Sequence, residues 1–180
     1  MDCVQWAFVI GIDTYWLCYT DYDLLEINMA GVRKGVTYAA DNAVVDCLFC
    51  RIIAGKEQST MVKPSIPHPD LLAFFTINPS TDCHILVTPR LHIQNVDALT
   101  KHDIPLLEDM QRFGNSLLTT EQQKDSLLVF HLPPWNSIDH LHLHVIANRS
   151  TMSFFNGYFK YLPGTAWCNT IDTVIARLKK

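Results

Sequence analysis

Three histidines alternate with apolar residues in the segment His140-Leu141-His142-Leu143-His144-Val145. In an extended strand successive side chains point to opposite faces, so the three imidazoles would share one face while the apolar residues enter the core. Imidazoles this close disfavour one another's protonation, which keeps at least one of them neutral near pH 7. A neutral imidazole attacks phosphorus well, and its neighbours can donate hydrogen bonds to a bound phosphate. The segment therefore predicts nucleophilic chemistry at a phosphate.

Two alternatives stay open for this segment. The first is a polar strand face without a function, although clustered histidines that are merely structural are uncommon. The second is a metal site, because two histidines in alternate positions of a strand are a common ligand pair. A complete metal site would need a carboxylate or a third ligand nearby, and the strand supplies neither.

A second candidate is the pair Cys47 and Cys50, separated by two residues. No secretory signal is recognisable, since Asp2 is acidic where such a signal is positively charged. The apolar stretch that starts at Trp6 is interrupted by Asp13, long before the roughly 20 residues that a membrane span needs. We therefore expect a reduced protein of the cytoplasm or nucleus, with no membrane partner. In such a protein a cysteine pair of this spacing binds a metal or performs redox chemistry.

Composition limits the possible partners. The chain has 180 residues, of which 48% are apolar and 18% charged, as in an ordinary compact domain with its own core. Its formal net charge is −4, and Arg177, Lys179 and Lys180 are too few to form a basic surface. A dedicated nucleic-acid binder would show a clustered Lys/Arg footprint. The composition therefore argues against nucleic acid as a partner.

The elements that must position these residues follow from the hydrophobic pattern and the turn residues. Apolar runs of strand length alternate with loops, and one long helix lies between them. Thr100 and Asp103 resemble a capping box at the start of that helix. The class is therefore α+β with a mostly antiparallel sheet. The predicted strands are 71–77, 84–88, 127–132 and 140–147, and the predicted helices are 47–56, 96–118 and 171–178.

These motifs together resemble one known family. His140 to Val145 matches the signature H-φ-H-φ-H-φ, with φ apolar, of the histidine triad (HIT) family. Residues 130–139, with their Pro-Pro turn, are similar to a subgroup of its Hint branch. The resemblance covers residues 47 to about 148. The other similar stretches are 47–55, 72–79, 84–89 and 92–93.

The resemblance implies a HIT-like α+β fold, with about five mostly antiparallel strands, one long helix and short terminal helices. We expect an N-terminal extension of unknown role at residues 1–45, a HIT domain at 46–150, and a C-terminal segment at 151–180 whose short helix packs on the domain. The extension is consistent with an added helix, an oligomer contact or a loosely ordered segment. It carries several aromatic residues without a clear period: Trp6, Tyr15, Trp16, Tyr19 and Tyr22.

The resemblance also implies roles for individual residues. His142 would attack the α-phosphate to form a nucleotidyl-histidine intermediate, which water then hydrolyses to release AMP. His140 and His144 would complete the triad, and Ser137 would assist the leaving group. The implied nucleotide-binding residues are His84 at the phosphate, Phe74 and Ile77 at the base and ribose, Thr76 at the ribose, and Asn136 in the loop before the triad. For Phe74 and Ile77 the alternative is ordinary core packing.

The chain departs from the family pattern at three places. Thr76 stands where most HIT proteins have an acidic residue that holds the ribose hydroxyls, and a hydroxyl is a weaker acceptor than a carboxylate. Asn136 replaces the usual glutamine, and Pro133-Pro134 replaces a glycine-rich loop. These differences bear on nucleotide affinity and on the leaving group rather than on the nucleophile.

The metal question is separate from the triad. Cys47, Cys50, His92 and His140 match the ligands of the zinc-bearing HIT proteins, and two thiolates with two imidazoles form a closed, structural set. We expect structural zinc and no organic cofactor. The redox alternative would need a strand-to-helix active-site turn, which we do not find. Cys3, Cys18, Cys83 and Cys168 receive no role, and His68, His102 and His131 are expected at surface or loop positions.

The function implied is a nucleotide hydrolase that acts on a purine nucleoside phosphoramidate or a related adenylate, as a homodimer paired through the long helix and its adjoining strand. One alternative is aprataxin-like removal of AMP from nucleic-acid ends. That family adds a basic zinc finger, whereas this chain has only Cys168 in the corresponding region. A second alternative is a nucleotide-binding or scaffolding module with vestigial activity.

Overall fold

The computed structural model describes residues 31–180, without the side chains of residues 31–33, 155 and 156. Most of the predicted N-terminal extension lies outside this part of the chain, with the five aromatic residues named above, Cys3 and Cys18. Among residues 31–180, no helix is both long enough and apolar enough to cross a membrane.

A five-stranded antiparallel sheet forms the centre of the fold, as predicted. Numbered after three short strands described below, its strands are β4 (Leu71–Phe75), β5 (His84–Pro89), β6 (Leu127–His131), β7 (Leu143–Ile146) and β8 (Cys168–Thr170). They lie in the order β4-β5-β7-β6-β8, and every neighbouring pair is antiparallel. The predicted α+β class is thus confirmed.

Helices α2 (Ile104–Ser116) and α4 (Ile171–Leu178) pack on one face of this sheet, and α1 (Leu48–Ile53) packs through Phe49 on the other. The short helix α3 (Thr120–Lys124) follows α2. Helix α2 buries Leu107, Met110 and Phe113 in the main core, together with apolar residues of the sheet. A Cβ atom at Gly114 would lie 2.9 Å from Val145 Cγ2, so only glycine lets α2 approach β7 this closely.

The long helix begins later than its pattern predicted. Residues Val96–Ala98 and Lys101–Asp103 form two separate 3-10 turns, and α2 starts at Ile104. The capping box of Thr100 and Asp103 is present, but it caps the second turn. Leu99, in an extended conformation, interrupts the helix before that turn. The apolar spacing continued across both turns, and it therefore did not reveal the break.

The triad strand is also shorter than predicted, because β7 starts at Leu143 rather than at residue 140. The backbone groups of Leu141, ahead of it, pair with a loop carbonyl and with a side chain rather than with the backbone of a neighbouring strand. The Leu141 N–H donates to the Ile93 carbonyl at 2.7 Å, and the Leu141 carbonyl accepts from Thr88 Oγ1 at 2.8 Å. His140 and His142 therefore lie just outside the sheet ladder, and only His144 lies within it.

Two elements were not predicted. A small antiparallel sheet consists of β1 (Gly31–Arg33), β2 (Val36–Tyr38) and β3 (Val44–Cys47), and β8 closes the main sheet near the C-terminus. Strands of three or four residues are too short to show a hydrophobic period. Val36 and Tyr38 pack with Phe49 in a second core cluster, so part of the predicted extension is joined to the domain.

Strand β6, which follows helices α2 and α3, is paired on both sides within the chain. Its one edge pairs with β7 and its other edge with β8, where Val129 lies opposite Thr170. A second copy of the chain therefore cannot extend the sheet through this edge. The predicted dimer contact through the long helix and its adjoining strand stays a prediction.

Candidate functional site

Four residues from separate segments form one compact group of metal-ligating side chains. Cys47 ends β3, Cys50 lies in α1, His92 follows β5 and His140 precedes β7. One ligand atom of each lies within 4.8 Å of the corresponding atom of every other. The His140 Nδ1 atom lies 3.5 Å from Cys47 Sγ and 3.6 Å from Cys50 Sγ, and His92 Nδ1 lies 3.5 Å from Cys50 Sγ.

The hydrogen bonds around this group suit a bound cation. His140 Nε2 lies 3.0 Å from the Pro89 carbonyl oxygen, so it carries the proton and leaves the Nδ1 lone pair facing the thiols. Burial, with Cys47 alongside, raises the pKa of Cys50 to about 12. Two thiolates at this position therefore need a positive charge between them. A tetrahedral zinc ion with two sulfur and two nitrogen ligands meets that need.

The hydrogen bonding of His142 defines its reactive atom. Its Nδ1 lies 2.6 Å from the His140 carbonyl oxygen, which can only accept, so Nδ1 carries the proton. The lone pair is therefore on Nε2. The ring is 5% exposed, and Phe49 packs edge-on against it at a centroid distance of 5.3 Å. Burial lowers the pKa of His142, which keeps the imidazole neutral.

A chain of hydrogen bonds fixes the tautomers of two further histidines. The Ser80 N–H donates to His84 Nδ1 at 3.2 Å, so the proton of the neutral His84 ring is on Nε2. That atom lies 2.9 Å from His144 Nδ1, to which it donates. The His144 proton is then on Nε2, which is buried and has no partner among the described residues. His144 therefore presents an unused donor, as a site for a phosphate oxygen requires.

His131 belongs to the same cluster, and its expected surface or loop position is wrong. It lies in β6, 9% exposed, and its ring centroid is 4.7 Å from that of His144. Its Nε2 donates to the Lys160 carbonyl at 3.2 Å. Its position at the end of an apolar strand run, two residues before the Pro-Pro turn, was the signal available in the sequence.

Tyr161 covers this cluster from the C-terminal segment and was not singled out from the sequence. Its ring stacks on His131 at a centroid distance of 4.9 Å and contacts His84 and His144 edge-on at 5.2 and 5.1 Å. Nothing in its local sequence pattern marked it. The segment after residue 150 thus forms a wall of the histidine cluster.

Burial is the main influence on the titration of these histidines. It lowers the pKa of His84, His131 and His140 to about 4, and that of His144 well below its ordinary value. The positive charge of Lys160 and the neighbouring imidazoles lower the pKa of His84 further. The cluster is therefore neutral at pH 7, with one nucleophilic lone pair on His142 and one free donor on His144.

The residues predicted to contact the base and ribose differ in how exposed they are. Phe74 is 3% exposed and packs edge-on against Phe49 at 5.2 Å, as the core alternative predicts, and its nucleotide contact stays a prediction. Ile77 is 92% exposed and is not a core residue. Thr76 follows β4 and is half-buried, with Oγ1 3.4 Å from the Asn78 N–H. Ile77 and Thr76 are thus free to meet a ligand.

The loop before the triad presents Asn136 and Ser137 differently. Asn136 is buried, and its Nδ2 donates to Asp139 Oδ1 at 2.7 Å. It lines a small cavity together with His131 and His142. Ser137 is exposed beside it. The loop therefore reaches the nucleophile through Asn136.

Comparison with known proteins agrees with this fold and site. Residues 46–158 match the family described as "Scavenger mRNA decapping enzyme C-term binding". Adenosine 5'-monophosphoramidase HINT3 of Mus musculus is 36% identical over 138 residues, which are 75% of this chain and 82% of that protein. Its Xenopus tropicalis counterpart is 35% identical over 75% of this chain and 88% of its own length.

Solved structures give the same result. A HIT family hydrolase from Legionella pneumophila Philadelphia 1 is 28% identical with a TM-score of 0.54, over 62% of this chain and 100% of its own. A histidine triad protein from Clostridium difficile is 25% identical with a TM-score of 0.53, over 58% and 91%. The chain belongs to the histidine triad family, in its Hint branch. It is an enzyme of the HIT hydrolase type.

Proposed function

We propose that the protein hydrolyses a purine nucleoside phosphoramidate, or a related adenylate, at the α-phosphate with His142 as the nucleophile. The observation that carries this proposal is the bond from His142 Nδ1 to the His140 carbonyl, because it leaves the Nε2 lone pair free. The two relatives above, named as adenosine 5'-monophosphoramidases, support this choice of substrate.

The reaction takes place in two displacements. The His142 Nε2 lone pair attacks phosphorus, the new N–P bond forms, and the bond from phosphorus to the leaving nitrogen breaks. The leaving amine takes up a proton, for which Ser137 is the proposed donor. Water then attacks phosphorus and gives one proton back to Ser137, the bond to His142 breaks, and AMP leaves with the imidazole again neutral. The free donor of His144 stabilises the charge that develops on the phosphate oxygens.

His84 acts in this proposal by holding His144. Because the Ser80 N–H occupies His84 Nδ1, His84 keeps its donor directed at His144. His140 acts through its backbone carbonyl on His142 and through its side chain on the metal group. Zinc, held by Cys47, Cys50 and His92 with His140, would join α1 to the sheet as a structural ion.

The experiment that tests the proposed function is turnover of adenosine 5'-phosphoramidate by the full chain, with AMP and ammonia measured together. We expect stoichiometric release of both, and an AMP adduct on His142, identified by mass spectrometry in protein quenched with alkaline denaturant, because the N–P bond hydrolyses in acid. Binding of AMP without turnover would overturn the hydrolase proposal and leave the nucleotide-binding module.

A second substrate class follows from another relative. The bifunctional adenosine 5'-phosphosulfate phosphorylase/adenylylsulfatase HINT4 of Arabidopsis thaliana is 36% identical over 106 residues, which are 56% of this chain and 69% of that protein. Adenosine 5'-phosphosulfate belongs in the same assay, because it has the same adenylyl group with a different leaving group.

We also propose a symmetric homodimer and a cytoplasmic or nuclear location. The dimer contact would use the outer face of α2, since the edge of β6 is already paired with β8. The location is supported by Cys47, Cys50, Cys83 and Cys168, which are free cysteines, as in a reducing compartment.

A further inference from the structure

The hairpin turn between β1 and β2 contacts the loop that precedes the triad. The Lys34 ammonium donates to the Pro134 carbonyl and, at 2.8 Å, to Asn136 Oδ1. In return the Asp139 N–H donates to the Lys34 carbonyl at 3.0 Å. These three hydrogen bonds join the two ends of the segment 134–139, here called the Asn136 loop, to one turn.

The turn also packs tightly against the Asn136 loop, in addition to these hydrogen bonds. Gly35, the other residue of the turn, has φ +67°, which favours glycine. A Cβ atom at this position would lie 2.7 Å from Ile138 Cδ1. The turn therefore follows the surface of the Asn136 loop closely. Residues 34 and 35 also lie before residues 46–158, which match the family.

The interior of the Asn136 loop is held by a buried carboxylate. Asp139 is 6% exposed, and it accepts from Asn136 Nδ2 at 2.7 Å, from Gln94 Nε2 at 3.2 Å and from Tyr38 Oη at 3.5 Å. Strand β2 thus contributes Tyr38 to the same contact. Lys34 completes the network from outside by fixing the oxygen of the Asn136 amide.

The loop held in this way has two faces. Asn136 lines the cavity beside His142, whereas Trp135 is 60% exposed and Ser137 is also exposed. A leaving group that departs from phosphorus opposite His142 would meet this loop. An exposed indole next to a hydroxyl offers an apolar contact and a hydrogen bond to a substituted amine.

We propose that the turn of Lys34 and Gly35 is a specificity element for the leaving group, acting by holding the Asn136 loop in place. The inference rests on the proposed function. Lys34 is a positioning residue and has no contact with the reacting atoms. Its loss would weaken recognition of a bulky leaving group more than the attack of His142.

The test compares Lys34→Met with Lys34→Arg on two substrates, adenosine 5'-phosphoramidate and an adenosine phosphoramidate of an arylalkyl amine. For Lys34→Met we expect a tenfold rise in KM for the bulky substrate, a change within threefold for the small one, and kcat within threefold for both. Lys34→Arg should restore most of the loss. Lys124→Met is the matched control, because Lys124 pairs only with the exposed Glu121 in the described part of the chain.

Amide hydrogen exchange gives a readout that does not depend on turnover. Peptides covering residues 134–139 should exchange at least threefold faster in Lys34→Met, with the melting temperature and the exchange of α2 unchanged. Equal KM ratios for the two substrates in wild type and Lys34→Met, or unchanged loop exchange, would overturn the proposal. Wild-type protein inactive on both substrates would instead overturn the proposed function, while the exchange result would still decide whether Lys34 holds the loop.

Discussion

The backbone carbonyl of His140 accepts the Nδ1 proton of His142 at 2.6 Å, while the His140 side chain faces Cys47 and Cys50. One residue therefore contributes both to the metal-ligating group and to the tautomer of the nucleophile. The two sites share a backbone, so the position of His142 depends on how firmly His140 is held.

Replacement of His142 by alanine should lower kcat by about a thousandfold or more, because the proposed bond to phosphorus forms at its Nε2. The chain should still fold, with a melting temperature lower by a few degrees, because alanine leaves a void where the buried ring packs against Phe49. Steady-state kinetics and thermal unfolding measure both effects. His102→Ala, at an exposed histidine, is the control. Activity within a few-fold of wild type would refute the assignment of the nucleophile.

Replacement of Cys50 by serine should remove zinc and destabilise the protein. Protein purified without chelator should carry one zinc per chain, and the variant none. Loss of a structural metal of this kind should cost about 3 kcal/mol, or a fall of ~10 °C in melting temperature. Cys83→Ser serves as the control, because Cys83 lies outside the group of four. Freshly purified wild-type protein without zinc would contradict the prediction.

Replacement of Thr76 by aspartate should lower the KM for adenosine 5'-phosphoramidate by about tenfold and leave kcat nearly unchanged. A carboxylate regains charge-assisted hydrogen bonds to the ribose, typically about 1.5–3 kcal/mol each, and these act equally before and during the reaction. Ser65→Asp adds the same charge at an exposed loop residue, and it controls for the effect of charge alone. An unchanged or higher KM would show that the ribose is held elsewhere.

The stability of the protein should fall as the pH drops from about 6.5 towards 4. Burial lowers the pKa of His84 and of His131 to about 4, whereas an unfolded histidine titrates near 6.5. The unfolded chain therefore binds more protons in this window. The free energy of unfolding should fall by up to about 1.4 kcal/mol per pH unit for each histidine. Above pH 7 neither His84 nor His131 makes the free energy of unfolding depend on pH.

The variant His131→Gln should show a shallower dependence, because it removes one of these proton-binding groups. The groups that surround this position are the same in both proteins, so the difference between their two plots of unfolding free energy against pH isolates His131. These groups are Lys160, Tyr161, His84, His142 and His144. Chemical denaturation at pH 7, 6 and 5, with zinc content checked at each pH, measures it. His102→Gln should leave the slope unchanged; identical slopes for wild type and His131→Gln would refute the prediction.

Light scattering at micromolar concentration should give the mass of a dimer if α2 supplies the proposed contact. Arg112→Glu reverses a charge at an exposed position of α2 and should shift the mass towards the monomer. Lys124→Glu makes a comparable change outside α2. A monomer mass for the wild-type protein would remove the proposal.

The sequence predicted the elements with many local signals and missed those with few. The helix 171–178 and the strand that starts at His84 were located closely, since each combines an apolar period with a clear stop. The small sheet and β8 depend on pairing between distant segments, which no local period records. The start of α2 was placed too early because apolar spacing continues across two 3-10 turns.

Some residues of the site could be predicted from the sequence, and others could not. His142 and His144 could be identified because the triad pattern is specific. His84 and the four metal-ligating residues were identified through the resemblance of their segments to the family. His131 and Tyr161 enter the cluster only through tertiary packing of β6 and of the C-terminal segment. Lys34 reaches the Asn136 loop across a hundred residues of sequence.

Strand β8 has a consequence for the growing polypeptide. Until residues 168–170 have left the ribosome, the outer edge of β6 has no partner, and its sequence Leu-Leu-Val-Phe-His is strongly apolar. An unpaired apolar edge is a template for association with another chain. Residues 168–180, which contain β8 and α4, therefore cover the apolar edge of the newly formed sheet. A premature stop shortly before Cys168 should yield aggregated protein even though every residue of the triad and of the metal group has been made.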